Sequence, residues 1–260
     1  MKQLAVKRLA AAWLALGFLL SGPAALRGDN DRIVRIQAAF ARKLDRIQLH
    51  PRGWQDFKRE NADLFPQDDC GEWVVVRKEK IALETGESVA VGVAYSQVFI
   101  PAAMDRVMRY LGTTRWFREL YNLDACAVIA SPCPGTDDAV RARIFKRVPL
   151  LPDQDFVLEL TWTRQKDIRF QRGRLVEDRK RFAVRDNLKI LVPEGEGVIY
   201  REISLVYPRR WWARAAGPTF RSVMRREVRE MVAVLRCVIS AGPEPVMETT
   251  RRCRLQARRN

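Results

Sequence analysis

"PTFRSVMRREVREMVAVLRCVIS", residues 218–240, decides the architecture. Phe220, Val223 and Met224, Val228, Met231, Val234 and Leu235, and Val238 recur at three- and four-residue steps. That spacing stacks side chains on one face of an α-helix. Arg221, Arg225, Arg229 and Arg236 mark the opposite side. A one-sided helix of this length draws most of its stability from packing, so it needs a long apolar partner.

The partner is written upstream. "EWVVVRKEKIAL" (72–83) and "SVAVGVAYSQVFI" (88–100) are β-branched runs separated by "ETGE", which predicts a hairpin. In the second run Val89, Val91, Val93 and Tyr95 share one face, and Ala90, Gly92, Ala94 and Ser96 share the other. A face of small residues lets something bulky approach the sheet. Residues 101–111 then predict a helix, with Pro101 in its first turn and Met104, Val107, Met108 and Leu111 as its stripe. "TTRWFREL" (113–120) predicts a second short helix. Further strands are predicted at 123–130, 140–148, 155–165 and 197–207, with weaker signals near 175–184 and 188–192 and a turn at "PEGEG" (193–197). Strands and helices do not alternate after residue 121, so the sheet should be antiparallel. The fold class is therefore α+β, a curved antiparallel sheet wrapped around a long C-terminal helix.

Residues 31–48 predict an amphipathic helix through Ile33, Ile36, Phe40, Leu44 and Ile47, stopped by "HPRGW". The chain from there to Gly71 reads as irregular, so residues 25–71 form an extension packed on a main domain at 72–240. The tail, 241–260, is basic and reads as disordered.

The 260-residue chain carries a formal charge of +16, most of it from arginine. Such a chain is drawn to anionic surfaces. Its first residues pair Lys2, Lys7 and Arg8 with an apolar run, Leu9–Leu20, and then small residues. This is the secretory signal pattern, with cleavage expected after Ala24, which makes the protein periplasmic or extracellular. An uncleaved membrane anchor is the alternative, although the run is shorter than the roughly 20 apolar residues that span a bilayer. Export argues against nucleic acid as the partner and permits disulfides. The five cysteines are Cys70, Cys126, Cys133, Cys237 and Cys253, so at least one does not pair within the chain. Two readings stand: a local bridge between Cys126 and Cys133, or Cys126 and Cys237 as buried small hydrophobes.

His50 is the only histidine and lies in a loop, which excludes a histidine triad or a multi-histidine metal site. There is no phosphate loop or dinucleotide fingerprint, and no carboxylate pair whose spacing argues for acid–base work. No catalytic residue, metal or cofactor is assigned. The notable polar residue is Arg201, on a strand face with Ile199, Ile203, Leu205 and Tyr207. On 155–165, Phe156, Leu158, Leu160 and Trp162 share a face. An arginine on a core face needs a partner or a polar ligand. Either Arg201 lines a cavity and meets a ligand's polar group, or the register is shifted by one, or it snorkels at the sheet edge.

The order of elements resembles the START domains and the wider polyketide-cyclase-like, helix-grip superfamily. "GEWVVVRKEKIAL" resembles the START opening strand. "QVFIPAAMDRVMRYLGTTRWFREL" is similar to the helix and aromatic segment that follow it. "RVPLLPDQDFVLELTW" is similar to the family's proline-bearing turn and strand, with Gln154 where an arginine is expected. The likeness covers roughly residues 72–240. It implies a cavity between sheet and helix that holds a lipid, sterol or polyketide-like molecule. Some relatives are enzymes, but the likeness carries over no catalytic residue. The expected lining is Leu158, Leu160 and Trp162 with Ile199, Arg201 and Ile203 from the strands, and Met224, Val228, Met231 and Leu235 from the helix.

"YPRRWWARAAGP" (207–218) joins the last strand to that helix, at the cavity mouth of such a fold. Arg209, Arg210, Trp211, Trp212 and Arg214 suit an anionic membrane interface, or the two indoles pack under the extension. The expected function is an exported protein that binds a lipid or other hydrophobic molecule. A cyclase- or aromatase-like enzyme and a basic scaffold for anionic polymers are the alternatives.

Overall fold

The structure, a computed structural model, describes residues 23–65, 71–112, 123–130, 139–147, 154–178, 183–208, 217–241 and 247–259. The described residues begin with helix α1 (Pro23–Leu49), helix α2 (Gly53–Glu60) and a short 3-10 turn, Ala62–Leu64. The hairpin β1 (Trp73–Ala82) and β2 (Ser88–Ile100) follows, then α3 (Met104–Gly112). Six more strands come next: β3 (Ala125–Ala130), β4 (Ala139–Lys146), β5 (Gln154–Gln165), β6 (Ile168–Asp178), β7 (Ala183–Glu194) and β8 (Gly197–Pro208). Helices α4 (Gly217–Ser240) and α5 (Met247–Arg259) end the chain.

The eight strands form one sheet in the order β1-β2-β8-β7-β6-β5-β4-β3, and every pairing is antiparallel. Strands β3 to β8 meander across the sheet, and β8 returns beside β2. The β7–β8 hairpin turns at the predicted "PEGEG", where Gly195 takes φ 54°, a conformation that favours glycine. The weak strand signals near 175–184 and 188–192 become the full-length strands β6 and β7.

Both faces of the sheet are covered. On one lie Ile33, Ile36, Phe40, Leu44 and Ile47 of α1, with Trp54 and Phe57 of α2, against Val91, Val93, Tyr95, Leu188, Ile190, Ile203 and Leu205. Polar ties fix this layer. Lys43 Nζ donates to Glu79 Oε2 at 2.7 Å, and Gln48 Nε2 donates to Thr163 Oγ1 at 2.7 Å. On the other face α4 lays Met231, Val234, Leu235 and Val238 against Val98, Ile100, Val198 and Tyr200, with Val107 and Leu111 of α3 beside them. The long helix thus buries the stripe read from its sequence, as far as the described side chains go.

Two expectations need correction. The stretch after residue 48 is not irregular: α2 buries Trp54 and Phe57, which stack at 5.9 Å, and Phe65 meets both rings edge-on at 5.4 and 6.0 Å. Trp73 of β1 meets Phe65 edge-on at 5.7 Å, and all four aromatic residues join the α1 core. The tail is not disordered either. Residues 247–259 are helical, tied to α4 by a disulfide between Cys253 and Cys237, and Cys253 is buried in the α4 core. Cys237 is therefore a bridge partner and not a lone buried thiol. Cys70 and Cys133, and with Cys133 the expected local bridge, lie outside the described residues.

The bridge closes a sequence separation of 16. Replacing Cys253 with serine should lower stability by up to about 3 kcal/mol, the chain-entropy value for a loop of that length. Limited proteolysis should then cut within α5 first. Unchanged unfolding and an intact α5 would show that the helix docks without its tether.

Candidate functional site

The candidate site is the sheet face under α4. Strand registers identify what it presents, because residues paired across neighbouring strands share a face. One row runs Leu160, Gly173, Asn187, Ser204, Ala94 and Val76. The next runs Trp162, Gln171, Lys189, Glu202, Ser96 and Val74. The small residues noted in β2 are here: Ala94 and Ser96 lie under α4, and Val228 packs on Ala94 and Val76.

Toward β4 the face is apolar, with Ile144, Phe156, Leu158, Leu160 and Leu175 in one cluster. Toward the centre it is polar. Lys189 has 0% of its surface exposed, and its Nζ donates to Gln171 Oε1 at 2.7 Å. Gln171 Nε2 in turn donates to the carbonyl of Leu111 at 2.9 Å, tying α3 to the sheet. Glu202, paired with Lys189 across β7 and β8, accepts from the Tyr200 hydroxyl at 2.6 Å and from Asn187 Nδ2 at 3.3 Å. Burial pushes the Lys189 amine down to about 8, against the opposing pull of the Glu202 carboxylate.

Two buried oxygens on this face have no hydrogen-bond partner, Ser96 Oγ and Asn187 Oδ1. Gly173 makes the position of Asn187 possible, since a Cβ there would run into Asn187 Oδ1. Asn187 and Ser204 keep partial exposure, although Gly173 and Ala94 on either side of them in the row are buried. The face is therefore not fully sealed at these two central positions.

The expected lining divides between the two faces. Leu158, Leu160 and Trp162 lie on the α4 side, with Val228, Met231 and Leu235 opposite. Ile199, Arg201 and Ile203 do not. Arg201 is 3% exposed and lies on the α1–α2 side, where its Nε donates to Gln97 Oε1 at 2.6 Å. Its guanidinium sits 5.2 Å from the Trp54 ring centroid and 5.7 Å from that of Phe65. Ile203 packs in the α1 core, and Ile199 pairs with Val192, which packs on the same core. The alternation in β8 was right, but the face it defined turns toward the extension. The side chain of Met224, and residues Arg209, Arg210, Trp211, Trp212 and Arg214, lie outside the described residues.

Sequence reading missed Lys189, Gln171, Glu202 and Tyr200. Their signal was present: Lys189 sits between Leu188 and Ile190, and Glu202 between Arg201 and Ile203. In strands covered on both faces, both alternate sets are core sets. Among the described residues no group of three or more His, Cys, Asp or Glu is placed to hold a metal.

No family model matches the chain, and no curated protein matches it. Solved structures do resemble it. Human STARD10 is 14% identical, covering 66% of this chain and 78% of its own, at a TM-score of 0.42. Human StAR-related lipid transfer protein 5 is 12% identical over 70% of this chain and 96% of its own, also at 0.42. TTHA0849 from Thermus thermophilus is 15% identical over 63% of this chain and 97% of its own, at 0.42. The eight-stranded antiparallel sheet with a long helix across one face is the helix-grip arrangement expected from the sequence.

Replacing Arg201 with methionine should cost about 1–2 kcal/mol, through the lost hydrogen bond and the lost aromatic contacts. Uptake of an apolar ligand on the α4 side should not change. A variant that loses ligand at unchanged stability would return Arg201 to the site.

Lys189 predicts a pH dependence. The unfolded amine holds its proton up to about 10.5 and the folded one only to about 8. Between those values the unfolded chain binds more protons, so stability rises with pH. Denaturant titrations from pH 7 to 10.5 should show the parent gaining up to about 3 kcal/mol relative to Lys189→Met, with the gain beginning near pH 8. Parallel curves would mean that the amine is not buried as described.

Proposed function

We propose that the protein binds a largely apolar small molecule between α4 and the sheet. The observation that carries this reading is the exposure kept by Asn187 and Ser204 on the central strands, between the buried Gly173 and Ala94. Leu158, Leu160 and Trp162 supply an apolar wall beside that opening, and Val228, Met231 and Leu235 supply the helix side. Few, well-placed polar groups in an apolar pocket are what orient a small molecule.

The same proposal has the protein act after export and dock on anionic membranes. The Cys237–Cys253 disulfide supports an oxidising compartment. Arg225, Arg226 and Arg229 of α4 and Arg251 and Arg252 of α5 are exposed, which supports attraction to anionic headgroups. Among the described residues no helix is long and apolar enough to cross a membrane.

A second reading, a cyclase- or aromatase-like enzyme, is favoured by one observation. A buried lysine with a lowered pKa stands beside a carboxylate and a phenol on the face that would hold the ligand.

Native mass spectrometry of gently purified protein should reveal a bound apolar molecule, recoverable unchanged by solvent extraction if the protein is a carrier. Recovery of a converted product from an added ligand would favour the enzyme. Ser204→Phe fills the opening from the sheet side. It should abolish the bound species while leaving the melting temperature near that of the parent. Full retention of ligand by a folded Ser204→Phe variant would place the ligand elsewhere.

A further inference from the structure

We infer that the polar end of the bound molecule is an uncharged hydroxyl, held between Glu202 and Ser96. This deepens the binding reading above and rests on it.

Ser96 and Glu202 are directly paired across β2 and β8, so their side chains are neighbours on the α4 face. Ser96 is 1% exposed, and its Oγ has no partner. A buried hydroxyl left unsatisfied costs about 1–3 kcal/mol, so it asks for a missing partner. Glu202 is 6% exposed and accepts from Tyr200 and Asn187, which uses two of a carboxylate's roughly four lone-pair directions. Asn187 Oδ1 is a second buried oxygen without a partner, on the same face and next to the carboxylate. The unmet capacity here is thus one hydroxyl, which can donate or accept, and two acceptor oxygens.

A ligand hydroxyl meets the demand of Ser96 and of Glu202. It donates to the carboxylate of Glu202 and accepts the proton of Ser96 Oγ. Charged ends fit worse. Lys189 and Glu202 are neighbours across β7 and β8 and already set one positive and one negative charge in the same buried row. A ligand carboxylate would face Glu202, and a ligand ammonium, although next to Glu202, would leave the row with two positive charges to one negative. Either would add an unbalanced charge to a buried site, at high cost. The fixed pair thereby discriminates against both signs and leaves the neutral donor favoured.

The test uses the full chain at pH 7, with N-phenyl-1-naphthylamine as a fluorescent apolar probe. Dodecan-1-ol, dodecanoic acid and dodecylamine serve as displacing ligands that differ only at the polar end. The alcohol should displace the probe at a concentration about tenfold or more below those of the acid and the amine, the worth of a charge-assisted hydrogen bond. In Ser96→Ala and in Glu202→Gln most of that advantage should vanish, while displacement by the other two stays level or improves. Preference for the acid or the amine, or equal displacement by all three, overturns the hydroxyl assignment and leaves the cavity standing. An alcohol advantage that persists in a folded Ser96→Ala and a folded Glu202→Gln also overturns it. If both variants fail to fold, the ranking in the unsubstituted protein decides. A probe that never binds would sink the cavity reading itself.

Discussion

Because both faces of the sheet are covered, the parity of each strand position decides what a residue does. Antiparallel sheets often leave one face to water, and alternation then separates core from surface. Here it separates two cores. Arg201 and Glu202 are neighbours in sequence, yet one lies beneath Trp54 and Phe65 and the other faces α4. A one-residue slip of β8 would exchange them, placing a guanidinium in the grip and a carboxylate under the aromatic cluster. The register is held from both sides, by Gln97 of β2 on one face and by Asn187 of β7 on the other.

The polar row under α4 is at odds with the rest of the core. A fully buried ammonium is costly, and the downward push on Lys189 measures that cost. A lysine at this position would be readily replaced by an aliphatic residue if packing alone mattered. On the opposite face the charges serve assembly. Arg172 is bound by Asp186 through both carboxylate oxygens, and Asp45 of α1 lies 3.6 Å from its Nε, so that face's charges bind the helix layer to the sheet. Burial pushes the Asp186 carboxyl up to about 6, with Arg172 opposing.

Much of the architecture was legible because it rests on periodicity. The stripe of α4, the α1 pattern from Ile33 to Ile47, the first hairpin and the antiparallel order all follow from spacing. The α2 segment was not legible, since a helix of eight residues whose core contacts are aromatic rings offers no repeat to read. Helix α5 was hidden by its arginines: its contacts with α4 are the disulfide, the packing of Ala257 and the Arg254–Glu230 pair, none of which makes a periodic pattern. At the site, Leu158, Leu160 and Trp162 were found because they alternate with polar residues. Lys189 and Glu202 were missed because a polar residue between two apolar ones reads as a solvent-facing position until both faces of the sheet are known to be covered.

The layer formed by α1 and α2 bears on where this protein can be divided. Counted along the chain, residues 23–65 look like an appendage to a gripping domain. Counted by contact, they close the core on one whole face of the sheet. Without them Val91, Val93, Tyr95, Ile203 and Leu205 would form a broad apolar surface open to water, with the Arg201 charge stranded in its midst. The segment is a structural wall shared by the whole molecule, so the smallest autonomous piece of this protein includes it.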